Sequence, residues 1–295
     1  MKRIATIGFF DGVHSGHRYV LHELCRLAHE YRLQSLVLTF RQHPREVLQS
    51  VCPPLLTSPE ERTALIRSCG VEQVEMLDFS QIRNLTAKQF MQQLHEKYEV
   101  ELLLMGYDHR FGSDRPADFS DYQKAAAEVG LRLQQLAEYD SAMPHVSSTV
   151  CRRLLQEGNI QELNALLGYS YTLSGRVGHG NGIGRTIGFP TANLELDFLH
   201  KLLPPDGVYA ARTKVGGKFC RSLVNIGMNP TVNGKERTIE VYLHGFAGNL
   251  YGEQLQVQLL QFIRSEQHFS SLDELKIQID TDLQYLLSLP EEGRA

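Results

Sequence analysis

Residues 4–17 read I-A-T-I-G-F-F-D-G-V-H-S-G-H, and this stretch decides the fold of the first half of the chain. Its opening residues are small, apolar and β-branched, which predicts a buried strand. After His17 apolar residues recur at helical spacing, so a helix follows. The stretch therefore predicts a strand, a glycine turn and a helix whose N-terminal amides favour an anion.

The turn carries two glycines and two histidines that suit a phosphate site. Gly12 and Gly16 let a phosphate approach the backbone closely. Imidazoles at His14 and His17 can then donate hydrogen bonds to phosphoryl oxygens in a transition state. Two alternatives are solvated turn histidines and a His-x-x-His metal pair, although no nearby Cys or His clearly supplies the further ligands of a zinc site. The strand-turn-helix context favours the phosphate site.

Length and charge limit the class of protein. With 295 residues, 42% of them hydrophobic, the chain is long enough for two domains with real cores. A formal charge of −4 gives no basic field for nucleic acid or an anionic membrane. Its five cysteines are scattered and lack a Cys-x-x-Cys pair, which favours reduced thiols in a cytoplasmic protein. No apolar run reaches membrane-spanning length, and no signal-peptide pattern precedes the first strand.

Strand-like and helix-like segments alternate through the first half. Strands are predicted over 34–40, 74–77 and 102–105. Ser58 with Glu61 and Thr86 with Gln89 are capping boxes that open two of the intervening helices. This alternation predicts a doubly wound α/β domain, with a parallel sheet, helices on both faces, and ligands at the carboxyl ends of its strands.

The composition changes near Gly168, where we place the boundary between domains 1–168 and 169–295. Beyond it, β-rich runs over 207–215, 222–226 and 238–243 alternate with turns, a pattern typical of a small antiparallel barrel. A helix closes the chain, and Ser271 with Glu274 forms its predicted capping box.

The glycine-rich stretch 175–188 is not a P-loop, because no Gly-Lys-Ser/Thr follows. Instead, Thr191 and Asn193 lie two residues apart, on one side of an extended segment, and their oxygens suit Mg²⁺ bound to ATP phosphates. Glu240 lies between two apolar residues of a predicted strand and faces away from them. Its carboxylate is either a solvated residue of the sheet surface or a catalytic base.

Eight segments together resemble the bacterial bifunctional riboflavin kinase/FAD synthetase family. In the first half they are GFFDGVHSGH (8–17), TFRQHPREVL (39–48), GYDHRFG (106–112) and SSTVCRRLLQEG (147–158). In the second half they are GRTIGFPTANL (184–194), VNIGMNPTV (224–232), IEV (239–241) and IRSEQHF (263–269). The resemblance implies a Rossmann-like nucleotidyltransferase domain followed by a six-stranded antiparallel barrel with a C-terminal helix.

For the first half, the resemblance implies transfer of AMP from ATP to FMN. It assigns catalysis to His14, His17 and Arg152. It assigns nucleotide binding to Gly8, Phe10, Gly12, Asp108, Ser147, Ser148 and Thr149. Without the resemblance, the Ser-Ser-Thr run is equally a plain helix cap before a surface arginine, and Asp108 is a turn aspartate.

For the second half, the resemblance implies phosphorylation of riboflavin by ATP. It assigns Glu240 as the general base, and Thr191 and Asn193 as ligands of the Mg²⁺ bound with ATP. It assigns nucleotide binding to Gly184 and Arg185, and flavin binding to Asn229, Pro230, Thr231 and Arg264. Arg264 is alternatively a structural arginine beside Glu266.

Three residues depart from the family pattern. Arg41 and Gln42 stand where an acidic residue and a proline are usual, so no acidic role is carried over to that loop. His109 replaces a commoner phenylalanine, which changes packing in the third segment.

The sequence thus predicts a cytoplasmic enzyme, a monomer or weak homo-oligomer, whose partners are riboflavin, FMN and ATP, with Mg²⁺. A single-activity enzyme that keeps its other domain only for binding is one alternative. A non-catalytic flavin-binding regulatory module is the other.

Overall fold

The protein divides into two compact units, Met1–Val150 and Cys151–Ala295. The structure, a computed structural model, describes residues 1–107, 109–138, 146–180, 183–231 and 234–290, and describes only the backbone of residues 183, 229–231 and 234–236. In this part of the chain no helix is long and apolar enough to cross a membrane.

The first unit is a five-stranded parallel sheet with helices between its strands. Its elements are β1 (Arg3–Ile7), α1 (Ser15–Tyr31), β2 (Gln34–Phe40), α2 (Pro44–Gln49), α3 (Pro59–Ser68), β3 (Gln73–Leu77), α4 (Phe79–Ile82), α5 (Ala87–Tyr98), β4 (Val100–Met105), α6 (Phe119–Glu128) and β5 (Arg132–Gln135). The strand order is β3-β2-β1-β4-β5, and every neighbouring pair is parallel. The predicted α/β class is confirmed.

Alternate residues of β1 reach the two faces of this sheet. Ala5 and Ile7 pack in the core that contains residues of α5 and α6. Ile4 packs in the core that contains residues of α1 and α3. Both faces are therefore covered, which leaves the carboxyl ends of the strands as the open edge where a ligand can approach.

The capping boxes predicted for α3 and α5 are both formed. Ser58 accepts from Glu61 N while the Glu61 side chain accepts from Ser58 N, and Thr86 and Gln89 do the same at α5. Each box satisfies two backbone donors that a helix start would otherwise leave unpaired, which is why the local sequence alone locates these starts.

The second unit is a closed antiparallel barrel. A helix α7 (Ser148–Gln156) spans the division between the units and is followed by α8 (Ile160–Leu167), β6 (Thr172–Gly178), α9 (Ile183–Thr186), β7 (Thr191–Leu196), β8 (Gly207–Val215), β9 (Lys218–Thr231), β10 (Gly234–Leu243), β11 (Gln254–Arg264) and α10 (Leu272–Ser288). The strands close in the order β10-β7-β6-β11-β8-β9. The predicted six-stranded barrel is confirmed.

The last helix packs on the outer surface of the barrel. Leu283 and Leu286 of α10 lie in one apolar cluster with Val208 and Leu223 of β8 and β9. Ser271 caps the helix by accepting from Glu274 N. The reciprocal half of the predicted box is absent, because the Glu274 carboxylate accepts instead from the amide and hydroxyl of Ser270, at 3.0 and 2.8 Å.

Candidate active sites

The loop between β1 and α1 has an unusual backbone. Phe10 and Val13 adopt φ values of 55° and 38°, and Gly12 has a φ of 79°. Left-handed conformations at non-glycine residues are strained and collect at functional sites. The loop ends at His14, the N-cap of α1, so its strained residues lead directly into the helix N-terminus.

The two predicted histidines lie together at this helix start. Their rings stack with centroids 3.7 Å apart and planes 19° apart. His14 Nδ1 accepts from the backbone N–H of His17 at 3.4 Å. In a neutral His14 the proton is therefore on Nε2, which makes that nitrogen a hydrogen-bond donor.

His17 is held in its neutral form. Burial is the main cause that lowers its pKa well below 6.5, and the neighbouring His14 lowers it further. The Phe10 and His17 rings are nearly perpendicular, with centroids 5.2 Å and planes 74° apart. A Cβ at residue 8 would lie 3.0 Å from two atoms of the Phe10 ring, so Gly8 lets this ring pack closely on the end of β1. Gly8, Phe10, His14 and His17 thus form one cluster.

The start of α7 meets this loop from within the first unit. Ser147 Oγ accepts from Val150 N at 3.3 Å and so caps the helix. Ser148 Oγ donates to Asp11 O at 2.9 Å, which joins the helix start to the β1–α1 loop. Thr149 is exposed, and Arg152 follows Ser148 by about one helical turn. Asp108 lies outside the described residues.

Three residues depart from the family pattern: Arg41 and Gln42 lie just before the short helix α2, and His109 lies in a turn. His43 caps α2 by accepting from Arg45 N at 3.1 Å. Arg41 and Gln42 precede it and are exposed. His109 donates its backbone N–H to Gly106 O at 3.2 Å, and its ring lies 6.0 Å from that of Phe111. The third segment thus keeps an aromatic cluster around the substituted position.

In the second unit, a cavity of about 270 Å³ lies between the outer face of the barrel and α10. Apolar side chains form most of its wall, and Thr191, Asn225, Glu240, Arg264, Glu266 and Asp282 add polar groups. An apolar cavity with a few convergent polar groups is typical of a small-molecule site.

Strand register brings three of the predicted residues together, and two of them, Thr191 and Glu240, line this cavity. Glu240 lies directly opposite Asn193, and Tyr242 lies opposite Thr191. Thr191 Oγ1 donates to Glu240 Oε2 at 3.1 Å. Ile239 and Val241 are buried on the other face of β10. The carboxylate therefore points out of the barrel, beside the hydroxyl and amide predicted to hold Mg²⁺.

The glycine-rich segment before β7 packs closely on these residues. A Cβ at Gly184 would lie 2.2 Å from Phe189 O and 3.4 Å from Thr191 Oγ1. A Cβ at Gly180 would lie 1.9 Å from Asn193 Nδ2. Glycine thus permits the segment to cover Thr191 and Asn193. Arg185 points elsewhere, toward the hydroxyl of Tyr251 at 3.4 Å.

Arg264 has a carboxylate partner other than the predicted Glu266. Its Nε and Nη2 donate to Asp282 of α10, with a closest distance of 2.8 Å. The pair lines the cavity and joins β11 to α10. Of Asn229, Pro230 and Thr231, the structure describes only the backbone, which pairs with residues 234–236 across β9 and β10.

Sequence reasoning missed three residues that support the first site and two that line the second. They are Asp11, Thr57, Arg62, Asn225 and Asp282. Asp11 lies inside the segment GFFDGVHSGH (8–17), so its position could have indicated a role at the first site. Arg62 and Asp282 gave none, because charged residues in amphipathic helices usually face solvent.

Comparison with known proteins matches each half of the chain to a described family. A family model described as FAD synthetase matches residues 1–150, and one described as riboflavin kinase matches residues 167–289. The bifunctional riboflavin kinase/FMN adenylyltransferase of Escherichia coli strain K12 is 40% identical over 283 residues, which cover 95% of this chain and 90% of that protein. The protein of the same name from Listeria monocytogenes is 34% identical over 291 residues, covering 96% and 91%.

A solved structure matches nearly the full length of the chain. The crystal structure of a macrolide-efflux protein from Streptococcus pneumoniae superposes with a TM-score of 0.89 at 30% identity, covering 98% of this chain and 95% of that one. Both family models match this chain, and the curated relatives align with it over nearly their full length. The chain belongs to the family of bifunctional riboflavin kinase/FMN adenylyltransferases.

Proposed function

We propose that the chain makes FAD from riboflavin in two ATP-dependent steps. Residues 169–295 phosphorylate riboflavin to FMN, and residues 1–168 adenylylate FMN to FAD. The observation that carries the proposal is the Thr191–Glu240 hydrogen bond of 3.1 Å at the cavity beside α10. The division at residue 168 is supported by Gly168, which ends α8 in a left-handed conformation.

In the kinase half, Glu240 is the general base. Its carboxylate takes the proton from the terminal ribityl hydroxyl while that oxygen attacks the γ-phosphorus of ATP, and ADP leaves. The Thr191 hydroxyl holds Glu240 Oε2 and fixes the carboxylate toward the cavity. The apolar wall formed by residues such as Phe189, Leu223 and Ile279 receives the flavin ring.

Thr191 and Asn193 fit Mg²⁺. Both place side-chain oxygens on the face of β7 that also carries Glu240 across the ladder. Mg²⁺ prefers such oxygen ligands and the phosphates of its nucleotide. When bound, the ion neutralises phosphate charge that grows as the leaving group departs. Gly184, which packs against Thr191, brings its backbone close to the same nucleotide.

In the adenylyltransferase half, no side chain acts as a nucleophile. A phosphate oxygen of FMN attacks the α-phosphorus of ATP, the bond to the β-phosphate breaks, and pyrophosphate leaves. His14 Nε2–H and the N-terminal amides of α1 stabilise the charge on the transferring group, and Arg152 and Asp108 complete the nucleotide site. Neutral His17 supports the His14 ring by stacking on it.

We place this activity in the cytoplasm, carried out by a monomer or weak homo-oligomer without nucleic-acid or membrane partners. Five free cysteines and a formal charge of −4 support this setting.

The purified chain, incubated with riboflavin, ATP and Mg²⁺, tests the proposal by chromatography of its products. We expect FMN, then FAD, with one ADP per FMN and one pyrophosphate per FAD. FMN alone identifies a single-activity kinase, and bound but unchanged riboflavin identifies a regulatory module. Either result contradicts the proposal.

A further inference from the structure

Arg62 is a fully buried arginine next to the first candidate site. It lies on α3 with 0% of its surface exposed. Its Nη2 donates to Phe40 O, at the end of β2, and its guanidinium carbon lies 4.3 Å from the centroid of the Phe9 ring. The side chain therefore joins the carboxyl ends of β1 and β2, where the β1–α1 loop begins.

This guanidinium is a buried cation with spare donors. Burial is the largest influence on its pKa and lowers it to about 10, against the opposing effect of the Asp11 and Glu60 carboxylates, so it stays charged at neutral pH. Its Nε and Nη1 have no hydrogen-bond partner among the described residues. A buried arginine placed at such cost requires an explanation beyond packing.

The chain just before Arg62 holds the same loop at a second point. The Asp11 carboxylate accepts from Leu56 N at 3.1 Å, and from Thr57 N and Oγ1, both at 3.0 Å. Gly12 N donates to Thr57 Oγ1 at 3.1 Å. Residues 56–62 thus contact the loop on both sides of Phe10. Arg62 lies against the Phe9 ring, and Thr57 forms hydrogen bonds with Asp11 and Gly12.

We propose that Arg62 is a positioning residue for adenylyl transfer. By fixing Phe9 and the Phe40 carbonyl, it maintains the strained backbone of Phe10 and Val13, and through it the stacked histidines and the amides of the α1 N-terminus. The amides at the α1 N-terminus also bind the ATP phosphates before the reaction, and catalytic donors misplaced by about 1 Å lose as much as a hundredfold in rate. A support beneath the loop therefore affects both the KM for ATP and turnover without touching the substrate. The inference rests on the proposed function of the first unit.

Arg62→Lys tests it, because lysine keeps the charge and loses the planar fork and the stacking. We expect the KM for ATP in FAD synthesis from FMN to rise roughly tenfold, and kcat/KM to fall at least as far. FMN synthesis by the same molecules is unchanged and serves as an internal standard. Arg3→Lys is the control, since Arg3 is partly buried and, like Arg62, donates to a carbonyl, Tyr98 O at 2.7 Å, but at the amino end of β1. It leaves the KM for ATP unchanged.

Loss of folded enzyme alone lowers the apparent kcat and leaves KM unchanged, and that result in Arg62→Lys overturns the proposal. Phe9→Leu supplies the same test from the other side of the contact, with the same expected rise in KM. Because the two residues act through one contact, the double variant loses no more than the worse single variant; additive losses also contradict the proposal. A wild-type chain that makes no FAD refutes the proposed function, whereas unchanged kinetics in both variants refute only the role of Arg62.

Discussion

At the scale of single residues, Glu240 and His17 take their proposed roles from their neighbours. Glu240 stands on a strand whose inward residues are buried, so its carboxylate points into the cavity edge, where Thr191 holds it. His17 lies under Phe10 and against His14, and this apolar surrounding keeps its imidazole neutral. Each residue type is common on protein surfaces, and only its placement gives it chemical use.

Glu240→Gln keeps the shape of the side chain and removes the proton acceptor. We expect kcat for FMN formation to fall by about two to four orders of magnitude, the range that a general base contributes. FAD formation from supplied FMN continues at the wild-type rate, and provides the control for folding. Steady-state rates of both reactions in the same preparation check this, and wild-type FMN production by the variant removes Glu240 from the mechanism.

The neutral His17 makes the stability of the first unit depend on pH. In the unfolded chain this imidazole takes up a proton below about pH 6.5, while in the folded chain its lowered pKa keeps it neutral. The unfolded state therefore binds more protons, and the free energy of unfolding falls as the pH decreases below about 6.5, by at most about 1.4 kcal/mol per pH unit from this group. Denaturant titrations between pH 5 and 7.5 give the unfolding free energy at each pH. We expect it to change less with pH in His17→Gln than in the wild type, and an equal change in both contradicts the neutral state of His17.

At the scale of elements, the loop before α1 is held by contacts distant in sequence. Thr57 is the centre of these contacts, because its hydroxyl donates to Asp11 and accepts from Gly12. This backbone segment has no regular secondary structure, so these buried hydrogen bonds supply partners that water would otherwise provide.

Thr57→Val removes this hydroxyl at nearly constant volume. Gly12 N–H and the Asp11 carboxylate then lose a buried partner, so we expect the first unit to lose about 1–3 kcal/mol of unfolding free energy. Thr63→Val is the control, since the Thr63 hydroxyl only donates to Pro59 O within α3. Urea denaturation of both variants gives the comparison, and equal losses disprove the role of Thr57.

The cavity of the barrel depends on how α10 is fastened. Arg221 donates to three carbonyls at the end of this helix, Leu286 O, Leu287 O and Leu289 O, at 3.1, 2.7 and 3.0 Å. Arg221→Met therefore loosens one cavity wall, and we expect a KM for riboflavin several-fold higher, with about 1–3 kcal/mol lost from the barrel. Arg212→Met, on the neighbouring strand directly opposite residue 221, leaves that KM unchanged. Initial rates against riboflavin concentration decide between these outcomes.

The sequence predicted the bounds of helices and strands well where neighbouring residues alone determine them. The bounds of β2 and β8 agree with the sequence, and Ser58 and Thr86 start their helices as expected. β9 was predicted over 222–226 but runs from Lys218 to Thr231, because pairing with two long neighbours extends it beyond its apolar run. The burial of Arg62 and the Arg264–Asp282 pair arise from contacts between distant segments, which periodicity does not report.

At the scale of the whole molecule, each half holds its own core and its own candidate site. The second unit includes α8, whose Asn164 donates to Leu259 O at 2.8 Å and accepts from Tyr171 N at 2.7 Å. We predict that the boundary between the two activities lies at residue 168, just after this helix. A residue that serves one reaction therefore affects the other reaction little, because the groups that stabilise each transferring phosphoryl group are local.

Complementation between two inactive full-length chains tests the central claim, that one chain carries two separate activities. His14→Ala combined with His17→Ala abolishes FAD synthesis and spares FMN synthesis, and Glu240→Gln does the reverse. We predict that neither variant alone makes FAD from riboflavin, and that an equal mixture does, with FMN released by one and consumed by the other. No FAD from the mixture, or loss of FMN synthesis in the folded double-histidine variant, would contradict the account.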